Sequence, residues 1–340
     1  MLDLEYAVTE PFLNYHLFHE GLNTKVKVLT SSLNHVIEYL LTPGNENKMN
    51  ELIKKTDKSW QFPPNFSLPN PPVDESSLKS KISSKRPDKV DDNNELDYQL
   101  KKKELAQEML YWYVSEMAIF GSFSALDDCI VDIDSWFSSW AMFNNTQDKK
   151  SESTSSNKIE RLYDSHEWDM KNIKTFLPIY EYFSAVRNSI AHRQSKASHK
   201  LSEISKSQEL KESVERNFPK GKPLSEFEYN EDIFISPKTS LLCSHIIRLI
   251  FEDINKYIIK KMGIEGIIYM SCKLAFEPSS YNENKVVNLA KNRLNEIVSG
   301  RYHVIIKGED EAVKVAESLG IWRDCAKFHA NNMRKLDPKF

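Results

Sequence analysis

The stretch LYWYVSEMAIFGSFSALDDCIVDIDSWFSSW, residues 110–140, decides the fold. Its apolar positions, among them Leu110, Val114, Ile119, Phe123, Leu126, Ile130, Ile133, Phe137 and Trp140, cover most sides of a helix. A helix that is apolar on most sides must be surrounded by others. The block 96–143, with Gly121 inside it, therefore reads as the central helix, or a close helix pair, of a bundle. The chain has only 9 glycines in 340 residues, which argues against sandwiches, propellers and glycine-rich nucleotide folds. The expected fold class is all-α.

Helical signals continue on both sides of this block. Val26, Val28, Leu29, Leu33, Val36, Ile37, Leu40 and Leu41 repeat at three- and four-residue steps, and Pro43 with Gly44 closes that helix. Six of the 14 prolines then fall within 58–95, which reads as a linker or long surface excursion. Beyond the polar tract 144–158, Pro178 starts a helix that carries Ile179, Tyr180, Phe183, Val186 and Ile190 and ends near Arg193. Ser236 as N-cap, Pro237 in the first turn, Lys260 and Lys261 at the carboxyl end and Gly263 as terminator mark another. Further helices are expected at 283–298, closed by Gly300, and at 310–319, with a β-branched run at 302–306 between them and a basic end after them. The expected organisation is an N-terminal helical segment (1–57), a Pro/Ser-rich linker (58–95), a helical bundle (96–263) and a mostly helical C-terminal segment (264–340).

Lys and Arg number 46 against 49 Asp and Glu, a formal net charge of −3 that excludes a uniformly basic nucleic-acid coat but not a local patch. One such patch is 195–222, with seven Lys or Arg against four Glu. Cys129, Cys243, Cys272 and Cys325 are far apart and form no CxxC pair, as expected of free thiols in a reducing compartment. Asp3 and Glu5 stand where a secretory signal needs basic residues, and no run reaches 18 apolar residues. A cytoplasmic protein that does not span a membrane is expected. His16 and His19 have a helical metal-ligand spacing but no identifiable third ligand, so they read as ordinary helix histidines, and no metal or cofactor is expected. Walker, GxGxxG, GxSxG and HExxH signatures are absent.

One segment has a chemical composition that a helix end does not require: FSAVRNSIAHR, residues 183–193. On an ideal helix Asn188 and His192 share a face, while Arg187 lies about 140° around the axis from His192. Arg187 must reach around, or the helix must bend. The string V-R-N-x-I-A-H-R resembles the RX4-6H motif of the HEPN superfamily, all-α domains of which many are metal-independent ribonucleases of toxin and anti-phage systems. The resemblance covers the motif and its helical surroundings, at most 96–263. It implies that Arg187, Asn188 and His192 are catalytic residues acting on cellular RNA such as tRNA.

The residues suit that chemistry. The RNA 2′-OH attacks the adjacent phosphorus, His192 transfers the proton, Arg187 contacts phosphate oxygens bidentately, and Asn188 orients His192 or the phosphate. Only one motif occurs in the chain, so the resemblance implies a homodimer with a composite cleft, and an antitoxin or regulatory protein is a possible partner. Glu116, Asp127 and Asp128 are candidate supporting carboxylates. Arg193, Lys196, Lys200 and Lys206 are candidate RNA-backbone contacts. The alternative is a non-catalytic helical module that binds a partner protein or nucleotide.

Overall fold

A computed structural model describes residues 2–40, 92–146, 155, 157–277 and 289–336. Among these residues the protein is all-α, with ten α-helices and one two-stranded sheet. The helices are α1 (Glu10–Leu40), α2 (Asp92–Phe143), α3 (Lys158–Ser165), α4 (Leu177–Arg193), α5 (His199–Lys206), α6 (Gln208–Asn217), α7 (Pro237–Ala275), α8 (Ala290–Asn295), α9 (Glu311–Ser318) and α10 (Trp322–Leu336). Strands β1 (Leu2–Asp3) and β2 (Ile305–Ile306) pair antiparallel, Leu2 opposite Ile306. No helix among the described residues is long and apolar enough to cross a membrane.

The chain divides into two compact units, one of Met1–His19, Phe123–Thr175 and Ile246–Phe340, the other of Glu20–Ser122 and Phe176–His245. In the first, buried Tyr15 stacks on Phe251 with ring centroids 5.0 Å apart, and Trp136 meets Tyr302 edge-on at 5.7 Å. Its N-terminal segment is fastened by polar contacts as well. Asn255 Oδ1 accepts from both the backbone N–H and the hydroxyl of Thr9 at 2.8 Å, and Asn255 Nδ2 donates to the Ala7 carbonyl. Arg301 pairs with Glu10 at the start of α1, where a carboxylate also complements the helix dipole.

In the second unit Val26, Val114 and Ala118 pack together with Leu22 and Leu241 against them. Helix α4 buries Ile179, Tyr180, Phe183 and Val186 of the apolar face that the sequence pattern marked, together with Tyr182 and Ala185, while Ile190 is only half-buried. Pro178 lies in its first turn, where a missing N–H costs no hydrogen bond.

Several boundaries differ from the sequence reading for identifiable reasons. Gly263 interrupts α7 as expected, with φ 61° and ψ −171°, but a new helical stretch begins immediately and runs to Ala275. The basic stretch 195–222 is helical over much of its length. The Ser198 and Ser207 side chains accept hydrogen bonds from the Leu201 and Leu210 backbone N–H groups, which starts α5 and α6, and Leu201, Leu210 and Val214 bury their inner faces. Helix α3 begins inside the polar tract because Asn157 caps it. The expected helix at 283–298 is helical from Ala290 and continues as a π-helical turn over Glu296–Arg301 rather than closing at Gly300, while 278–288 lie outside the described residues. The basic end forms α10, whose apolar positions are sparse in sequence yet include buried Met333. The Pro-rich 58–95 stretch falls outside the described residues except where α2 begins at Asp92, and so do Pro43 and Gly44.

Candidate active site

The motif lies in the last two turns of α4, within the second unit. The helix is continuous from Leu177 to Arg193, so the backbone does not break between Arg187 and His192. Its Nη1 donates to Asn188 Oδ1 at 3.1 Å, and its guanidinium carbon lies 5.7 Å from the centre of the Phe120 ring on α2. Asn188 is the residue that shares a face with His192, so the amide that Arg187 bonds lies on the histidine face of the helix. Arg187 Nε is buried with no hydrogen-bond acceptor, and among the described residues no carboxylate pairs with Arg187. A half-buried cation that lacks an acidic partner is poised to attract an anion. His192 and Asn188 are exposed.

The turn after the helix is unusual. Gln194 and Ser195 both have left-handed backbone conformations, φ 52° and 59°, which non-glycine residues enter at a cost. Hydrogen bonds hold this turn. The Ile233 N–H donates to the Ser195 carbonyl at 2.8 Å, and the Ser195 hydroxyl donates to Glu116 Oε1 at 2.7 Å. Burial holds the Glu116 carboxyl above the ordinary carboxylate range, and the Ser195 hydrogen bond opposes that rise. Glu116 thus fixes the turn that ends the motif helix and bonds neither Arg187 nor His192 directly. Asp127 and Asp128 belong to the first unit, where Asp127 pairs with Lys158.

The candidate RNA-backbone residues are largely engaged within the protein. Lys196 pairs with Asp232 at 3.1 Å and Lys206 with Glu228 at 2.6 Å, while Lys211 pairs with Glu226 at 2.8 Å. The acids that follow position 222 therefore pair with three of the seven cations of the basic stretch. Lys200 is exposed. Arg193 lies over the Tyr229 ring at 5.1 Å, and Tyr229 stacks on His199 with centroids 3.7 Å apart and 6° between the planes. Sequence reasoning missed Phe120, Ser195, His199 and Tyr229 as neighbours of the motif. Only the acid run Glu226, Glu228, Glu231 and Asp232 carried a sequence signal that could have been read.

His19 is buried and His16 stacks on Phe12 at 5.8 Å, and no group of three or more metal-ligating side chains occurs among the described residues. No protein-family model, curated protein or solved structure matches this chain.

Proposed function

We propose that the protein is a metal-independent endoribonuclease of the HEPN type, acting on cellular RNA as a toxin or anti-phage effector. The observation that carries this reading is Arg187: half-buried, paired with no carboxylate among the described residues, and bonded to Asn188, which shares a helix face with exposed His192. A phosphodiester supplies the missing anion. Arg187 takes its non-bridging oxygens and stabilises the charge that grows there as the 2′-OH attacks phosphorus. His192, beside the carboxyl end of α4, transfers a proton to or from an oxygen of the reacting phosphodiester. Attack by the 2′-OH leaves a 2′,3′-cyclic phosphate and a 5′-OH.

Each chain offers one such histidine and the reaction uses both an acid and a base, so the working unit is a two-fold homodimer whose two motifs share one cleft. Incubating the purified protein with total RNA in EDTA, beside His192→Ala, tests the reading. Cleavage by the wild type alone supports it.

The second reading is a non-catalytic helical module that binds a partner protein or nucleotide. The pairing of Lys196, Lys206 and Lys211 with carboxylates favours it, because it withdraws charge from any RNA-backbone contact. That reading predicts no cleavage and no dependence on His192.

A further inference from the structure

Cys272 on α7 and Cys325 on α10 are both free thiols of the first unit. Aromatic contacts on either side of Cys325 define the helix face that it presents. Phe276 continues the turn of Cys272, its N–H bonding the Cys272 carbonyl at 3.0 Å. Its ring meets Trp322 at 6.2 Å and His329 at 6.0 Å. Positions 322, 325 and 329 fall on one side of a helix, so α10 lays that side along the end of α7 with Cys325 in the middle. That packing sets Cys325 against the end of α7 where Cys272 lies, and each thiol shifts the titration of the other.

The two sulfurs are unequal. Cys272 is buried and Cys325 is half-exposed. A hydrogen bond with Cys272 holds the Cys325 thiol below the ordinary thiol range, against the opposing effects of burial and of Asp324. The same bond, together with burial, pushes the Cys272 thiol up. Cys129 and Cys243 are buried, and burial pushes the Cys129 thiol up to about 12. Of the four cysteines, only Cys325 combines access with a lowered thiol.

We propose that Cys325 and Cys272 form a peroxide-sensitive dithiol site that closes into a disulfide between α10 and α7. The Cys325 thiolate attacks one oxygen of hydrogen peroxide and breaks the O–O bond. The departing hydroxide takes a proton to become water, which leaves Cys325 as a sulfenic acid. Cys272 then attacks the sulfenic sulfur, the S–O bond breaks, and the expelled hydroxide leaves as a second water with the Cys272 proton. Two thiols and one peroxide become one disulfide and two waters, the sulfurs losing two electrons that the peroxide gains. The bridge joins positions 272 and 325 and ties the last described helix to α7. The proposal is independent of the ribonuclease reading.

The test exposes the full chain to hydrogen peroxide without reductant, blocks the remaining thiols and maps peptides. Two of the four thiols should disappear, return with dithiothreitol and map to one peptide pair containing Cys272 and Cys325. Cys325→Ser should slow thiol loss at least about tenfold, and Cys272→Ser should leave a sulfenic acid on Cys325 that dimedone traps. Survival of all four thiols, loss that maps to Cys129 or Cys243, or a bridge between chains would overturn the proposal. Should Cys272→Ser fail to fold, the wild-type map and Cys325→Ser decide the matter.

Discussion

Ser195→Ala removes the hydroxyl that joins the turn after the motif helix to α2. The bond is short at 2.7 Å, its donor is buried, and its acceptor is a part-buried carboxylate. Hydrogen bonds to charged groups contribute about 1.5–3 kcal/mol, and a stranded buried acceptor adds a desolvation cost. Water recovers part of the loss at Glu116, so the expected destabilisation is about 1–2 kcal/mol. Ser195→Gly loses the same bond but releases a residue held at φ 59°, which returns about 1 kcal/mol, so glycine should be milder than alanine. Glu116→Gln keeps an acceptor for Ser195 without the buried charge and should stay near the wild type. The pH dependence has a definite sign. Because the Glu116 carboxyl lies above its ordinary range in the folded state, the folded protein binds its proton more readily than the unfolded chain, and this group's contribution to stability falls as pH rises through that window. Removing the Ser195 bond raises the carboxyl further. The Ser195→Ala penalty should therefore be largest at neutral pH and shrink as Glu116 protonates. Urea denaturation of the three variants at neutral and mildly acidic pH measures this. A Ser195→Ala protein within about 0.5 kcal/mol of wild type at neutral pH would refute the reasoning.

Other substitutions have equally definite expectations. Asn255→Ala strands the Thr9 N–H and hydroxyl and the Ala7 carbonyl, and should cost about 2–3 kcal/mol in urea denaturation. Gly263→Ala places a Cβ at φ 61° and ψ −171°, a region open essentially to glycine alone, and should cost about 1–3 kcal/mol although no atom lies within 4 Å of the new methyl. A neutral outcome would mean that the break in α7 relaxes. His192→Ala removes an exposed side chain and should change stability by less than about 1 kcal/mol, while slowing RNA cleavage by roughly 10² to 10⁴. Arg187→Lys keeps the charge but not the bidentate fork and should slow cleavage by about 10² to 10³.

The all-α class and the bounds of α4 were legible in the sequence, because an apolar face at helical spacing with Pro178 in the first turn leaves few alternatives. Helices α5 and α6 were not, since their composition is polar and the caps at Ser198 and Ser207 outweigh it. The basic character of 195–222 was legible in composition, but not that Asp232 and Glu228, just beyond that window, take up Lys196 and Lys206. Arg187 and His192 were visible as residue types. Phe120 beneath the arginine and the Ser195 link to Glu116 were not, because each joins positions more than sixty residues apart with no sequence pattern connecting them.

The most direct test of the central claim is the chemistry of the cut ends. A labelled RNA incubated with the protein in EDTA, beside the same RNA carrying a single 2′-deoxy nucleotide at the cleavage position, is analysed for its termini. The account predicts 2′,3′-cyclic phosphate and 5′-OH ends on the first RNA and no cut at the substituted position of the second, since the attacking hydroxyl is missing there. Ends bearing a 3′-OH, cleavage that survives the 2′-deoxy substitution, or cleavage that requires a divalent cation would contradict it.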